Sequence, residues 1–161
     1  MAAWPRHLRR SRADGVFRSR RCRIQDQLPK AYADQDRVKQ IIDNLIGNAI
    51  KFTEKGSITV SAEVKNSQIV VSVHDTGRSM SPRDQKTLFK RFQQIRSEDV
   101  TNGSGLGLYI SKQLVEDMGG KIWVDYSTPE KGTAICFSLK IYASHKEPLK
   151  IISNDNHSSK S

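Results

Sequence analysis

Three glycines at alternate positions, Gly103, Gly105 and Gly107, stand directly ahead of an apolar pattern of helical period, LYISKQLVEDM. Glycine at this density lets backbone amides turn toward an anion, and the helix N-terminus that follows adds partial positive charge. A phosphate group suits such a place. Earlier in the chain, Asn44, Asn48 and Lys51 are spaced i, i+4 and i+7, within about 60° of arc on one predicted helix and opposite its apolar stripe. An Asn carbonyl is a hard oxygen ligand suited to Mg2+, and a Lys ammonium one turn on suits phosphate oxygens. The same spacing also describes a plain solvated face, on which two poor helix formers would be a weakness. Asp75-Thr76-Gly77 closes a strand pattern. Asp before Gly is ordinary turn chemistry, and a carboxylate at a strand end also accepts from an exocyclic amine, which would tell adenine from guanine.

Two common phosphate loops are excluded. No Lys-Ser or Lys-Thr follows the glycines, as a Walker A loop requires. A dinucleotide fingerprint needs a buried strand ahead of the loop and a βαβ unit around it, whereas an irregular polar stretch, QQIRSEDVTNG, precedes this one.

The elements that must position these residues are legible. Apolar residues at Val38, Ile41, Ile42, Leu45, Ile46, Ala49 and Ile50 predict an amphipathic helix from Arg37 to Phe52, with Asp34 as N-cap. SITVSAEV and IVVSVHD alternate in strand fashion around a KNSQ turn, which predicts an antiparallel hairpin with one side against helices. SPRDQKTLFKRF predicts a helix begun by Ser81 with Pro82 at its first position. A loop is expected over 93–103, then a helix over 104–118 ended by Gly119-Gly120. KIWVDY and TAICFSLKIY read as two further strands around STPEKG. Helices interleaved with a mixed, mostly antiparallel sheet predict an α+β fold, a two-layer sandwich with the helices on one face.

Composition sets the outer limits. The chain has 161 residues, enough for one ordinary domain with extensions. It contains no run of 18 apolar residues, so no membrane-spanning helix is expected, and nothing reads as a secretory signal. Cys22 and Cys136 lie far apart without CxxC spacing, which argues against zinc or a disulfide scaffold and fits a reducing, cytoplasmic setting. Of the net charge of +10, residues 1–30 hold nine Lys or Arg against Asp14 and Asp26, giving +7. The basicity therefore belongs to a leader, 1–27, expected to be without structure through its first dozen residues. Residues 28–142 are expected to form the domain, and 143–161 a polar tail.

The ordered motifs carry a resemblance. IIDNLIGNAIKFT resembles the N box, DTGRSM the first glycine box, LFKRF the F box and GSGLGLYI the second glycine box of the histidine-kinase catalytic and ATP-binding domain, of the GHKL ATPase superfamily with its Bergerat fold. The segment from Gly132 to Phe137 is similar to the family's closing GTxF-like strand. The resemblance implies that Asn48 ligands Mg2+ bridging the ATP phosphates, with Asn44 and Lys51 near the γ-phosphate. It implies that Asp75 binds the adenine amino group, that Gly77 lets the backbone approach the base, and that Thr133 supports the contact. Gly103, Gly105, Leu106 and Gly107 would wrap the triphosphate, with 93–103 as an ATP lid. Hydrolysing relatives resemble one another in having Glu where this chain has Asn44; an amide takes no proton, which favours phosphoryl transfer to an imidazole.

The chain departs from the family's DxGxG at Arg78-Ser79. A Ser forced to positive φ there would cost roughly 1 kcal/mol or more, and Arg78 would stack on the base or point outward. Nothing upstream fits an acceptor-His hairpin, so the expected partners are a His-bearing dimerisation domain, in cis or in trans, and a downstream response regulator. Two other classes remain open at this stage: a nucleotide-binding module without transfer activity, and a nucleic-acid-binding protein acting through the Arg-rich leader.

Overall fold

A computed structural model describes residues 18–92 and 105–142. Its elements run β1 (Arg18–Ile24), α1 (Gln35–Phe52), β2 (Gly56–Lys65), β3 (Gln68–Asp75), α2 (Pro82–Thr87), α3 (Gly107–Asp117), β4 (Ile122–Thr128) and β5 (Gly132–Lys140). The five strands form one sheet in the order β1-β2-β3-β5-β4. β1 pairs parallel with β2 and the other three pairings are antiparallel. The expected α+β sandwich with a mixed, mostly antiparallel sheet is what forms. Among the described residues no helix is long and apolar enough to cross a membrane.

Local chemistry accounts for most boundaries. Asp34 caps α1 by accepting from the Arg37 N–H at 3.0 Å, and Ser81 caps α2 by accepting from the Asp84 N–H at 3.1 Å. Both satisfy amide groups that a first helical turn leaves without partners. The hairpin between β2 and β3 closes on Asn66 and Ser67, at φ 50° and 59°, the left-handed pair that matches the twist of flanking strands. The C-terminus of α3 is closed by Gly119 N–H donating to Glu116 O at 2.8 Å and Gly120 N–H to Val115 O at 2.9 Å, a Schellman pair.

The core lies between α1, α3 and one face of the sheet. Ile41, Leu45, Ile46 and Ala49 of α1 and Leu114 and Val115 of α3 pack with Ile58, Val60, Ile69, Val71, Val73, Ile135, Phe137 and Leu139 of the strands. Burying side chains of this kind contributes about 1.5–3 kcal/mol each relative to exposure. The packing fixes the strand ends, and with them Asp75 and Thr133.

Three expectations are corrected. The expected leader reaches residue 27, yet Arg18–Ile24 is an edge strand, hydrogen-bonded in parallel to β2 with Cys22 opposite Val60. Backbone pairing tolerates any residue type except Pro, so an arginine-rich strand leaves no apolar trace. The helix expected through LFKRF stops at Thr87, whose hydroxyl donates back to the Arg83 and Asp84 carbonyls at 3.4 and 3.3 Å; such bonds compete with the helical ladder. The helix expected from 104 starts at Gly107, because Gly105 sits at φ 67° and interrupts helical geometry.

Candidate functional site

The amide row of α1 sits beside the core stripe, where it was expected opposite. At 100° per residue Asn48 lies only about 60° around the helix from Leu45, and Asn44 and Asn48 are both half-buried. Asn44 Nδ2 donates to Ser111 Oγ of α3 at 2.8 Å, and Ser111 is 2 % exposed. A Cβ on Gly107 would lie 2.3 Å from Asn44 Oδ1. A side chain at 107 would have to displace the Asn44 carboxamide.

Asn48 lines a cavity of about 220 Å³ together with Asp75 and Thr133. Its walls are largely apolar, with Leu45, Ala49, Phe52, Val73, Met80 and Ile135 among them. Leu108, in the first turn of α3, lines the same cavity, so the exit of the glycine loop borders it. Gly105 and Leu106 precede α3, with Leu106 at the N-cap position. Gly103 lies outside the described residues, as do residues 93–103 expected as a lid. Asn44, Lys51 and Gly77 do not line the cavity. Lys51 places its Nζ 5.6 Å from the centre of the Phe52 ring.

Asp75 is 6 % exposed. Its Oδ1 accepts from the Gly77 N–H at 2.8 Å and the Thr53 hydroxyl at 3.3 Å, which leaves Oδ2 with acceptor capacity. Burial raises the carboxyl above its ordinary range, opposed by the two hydrogen bonds and by His74. A buried acceptor short of donors favours a ligand that brings one. Gly77 has a structural reason: a Cβ there would come within 2.3 Å of Phe52 O and 2.6 Å of Thr53 Oγ1. The adjacent Arg78 N–H donates to Phe52 O at 3.1 Å, so the chain after Asp75 lies flush against the end of α1.

Ser79 is not at positive φ. The strain that a side chain would meet in a left-handed position does not arise, and Ser79 simply lines the cavity beside the exposed Arg78. Thr133 is 5 % exposed, lies opposite Asp75 in the β3–β5 ladder, and has its Oγ1 2.8 Å from Ser127 Oγ.

Residues 33–143 match the family of histidine kinase-, DNA gyrase B- and HSP90-like ATPases. This chain belongs to that family. The sensor protein GacS of Pseudomonas syringae pv. syringae is 44% identical over 115 residues, which are 67% of this chain and 13% of GacS. The adaptive-response sensory kinase SasA of a Synechocystis strain is 38% identical over 121 residues, 74% of this chain and 31% of SasA. The crystal structure of full-length ShkA in complex with AMPPNP shares the fold with a TM-score of 0.68 and 32% identity, over 79% of this chain and 27% of ShkA. The chain thus spans a third or less of each of these three relatives.

Four residues that hold or brace these groups carry no signal of their own in the sequence. Thr53 and Ser111 hold Asp75 and Asn44. Ser127 accepts from the Met80 N–H at 2.7 Å, and Gln85 donates to the carbonyls of Met80 and Ser127 at 3.0 and 3.3 Å. Their partners are distant in sequence, and a lone Ser, Thr or Gln has no periodicity that would mark it.

Proposed function

We propose that residues 28–142 are the ATP-binding catalytic domain of a sensor histidine kinase, which transfers the γ-phosphoryl group of Mg-ATP to a histidine carried elsewhere, in cis or in trans, ahead of a response regulator. The observation that carries it is the convergence of Asp75, Asn48 and Thr133 on one apolar-walled cavity bordering the N-terminus of α3. Apolar walls suit a planar base, and the spare acceptor on Asp75 suits the adenine amine. The Asn48 carboxamide offers the hard oxygen that Mg2+ takes alongside phosphate oxygens. When bound, the ion would neutralise phosphate charge.

The chain's own residues divide the work. Asp75, held by Gly77 and Thr53, selects the base, with Thr133 beside it. Gly103, Gly105, Leu106 and Gly107 supply backbone amides to the phosphates at a helix N-terminus. Asn44 and Lys51 serve the γ-phosphate end. The Asn44 amide has no lone pair basic enough to activate water. A neutral imidazole needs no such base to act as nucleophile, so position 44 suits transfer to histidine.

Calorimetry of the full chain with ATP, with and without Mg2+, tests this reading. Mg2+ should tighten binding to the natural chain and do so far less for Asn48→Ala. Addition of a His-bearing dimerisation domain should then yield acid-labile phosphohistidine on that domain and none on this chain. No heat at millimolar nucleotide would sink the proposal.

A further inference from the structure

Two buried hydroxyls sit side by side behind the base-binding carboxylate, and their protons have to be placed. Ser127 Oγ and Thr133 Oγ1 are 2.8 Å apart, at 9 % and 5 % exposure. Ser127 Oγ already accepts the Met80 N–H at 2.7 Å. Each hydroxyl has one proton to give, and only one of the two can lie in the bond between them.

Burial decides the direction. If Thr133 donated to Ser127, the Ser127 proton would have no acceptor among the described residues, and Ser127 does not line the cavity. With Ser127 donating to Thr133, the remaining proton sits on Thr133, which does line it. A buried donor without an acceptor is costly, so the second arrangement is preferred. Thr133 stands opposite Asp75 in the ladder, and the site then presents a carboxylate acceptor next to a hydroxyl donor. Adenine offers the complement, an exocyclic amine beside a ring nitrogen acceptor. Guanine has an oxygen where the amine would be.

We propose that Ser127 is a positioning residue that turns the Thr133 hydroxyl proton toward the nucleotide base, directly or through a water, and so contributes to selection of adenine. Gln85 supports it by holding the Met80 and Ser127 carbonyls on one amide, which keeps the Met80 N–H aimed at Ser127 Oγ. The proposal rests on the nucleotide reading above.

The test compares ATP with 1-deaza-ATP, in which the ring nitrogen acceptor is replaced by CH, by calorimetry on the full chain. The natural chain should bind the deaza analogue about fivefold or more weakly, the scale of one hydrogen bond. Ser127→Ala should weaken ATP and leave the analogue nearly unchanged, bringing the ratio close to one, and Ser127→Thr, which keeps the hydroxyl, should restore it. A merely structural loss would weaken both ligands alike and overturn the proposal. Should Ser127→Ala not fold, Thr133→Val carries the same comparison, and an undiminished ratio there overturns it. Failure of the natural chain to bind ATP at all overturns the nucleotide reading itself, whereas an unchanged ratio in a variant that still binds ATP overturns only the role of Ser127.

Discussion

Asn44 Nδ2 donates to Ser111 Oγ at 2.8 Å, across 67 residues of sequence, and this bond joins the amide row of α1 to the helix that follows the glycine loop. Ser111 is 2 % exposed, so removal of Asn44 leaves a buried hydroxyl without its donor. Asn44→Ala and Ser111→Ala should each lower stability by about 1–2 kcal/mol. Urea denaturation of the double variant should show less than the sum, since contacting partners do not act additively.

Gly77 has no room for a side chain. A Cβ would press on Phe52 O at 2.3 Å and Thr53 Oγ1 at 2.6 Å, and backbone oxygen does not swing aside. Gly77→Ala should cost about 1–3 kcal/mol. It should also displace Asp75, whose Oδ1 accepts the Gly77 N–H, so nucleotide affinity and stability should fall together. Thermal melting with and without ATP checks both.

Asp75 is a buried carboxyl whose ionised form burial disfavours. Burial raises its pKa, so between its ordinary and its raised value the folded state binds more protons than the unfolded state. Stability therefore gains from this group as pH falls through that window, and the ionised form is a cost above it. Asp75→Asn removes the charge and should be no less stable than the natural chain at neutral pH. It should bind ATP at least tenfold more weakly, the scale of a hydrogen bond to a charged group. Melting curves and calorimetry at neutral pH decide the two halves separately.

Protonation of the same carboxyl predicts a pH effect on binding. ATP affinity should decline as pH is lowered toward the raised pKa of Asp75, because a protonated carboxyl is a poorer acceptor for an amine. Asp75→Asn should lose that part of the pH dependence while keeping whatever arises from the phosphates. Identical profiles for the two proteins would contradict the assignment of Asp75 to the base.

The order of elements and the chemistry at their ends were written locally. The stripe from Val38 to Ile50 made α1, Asp34 and Ser81 capped their helices, and the alternation around Asn66-Ser67 made the hairpin. Each depends on residues within a few positions of one another, where period and cap chemistry act directly. The spacing of Asn44 and Asn48, the Asp75-Thr76-Gly77 turn and the glycine run were likewise visible as chemistry without an address. What the tertiary structure alone decided was where those groups point and who holds them. It set the amides beside the core stripe, gave Asn44 to Ser111, and put Ser127 between Met80 and Thr133. It also recruited the arginine-rich Arg18–Ile24 as an edge strand. Such contacts join residues tens of positions apart through single hydrogen bonds or backbone pairing. Neither leaves a repeating pattern in a chain, so only the packed core, by fixing strand ends and helix flanks in space, determines them.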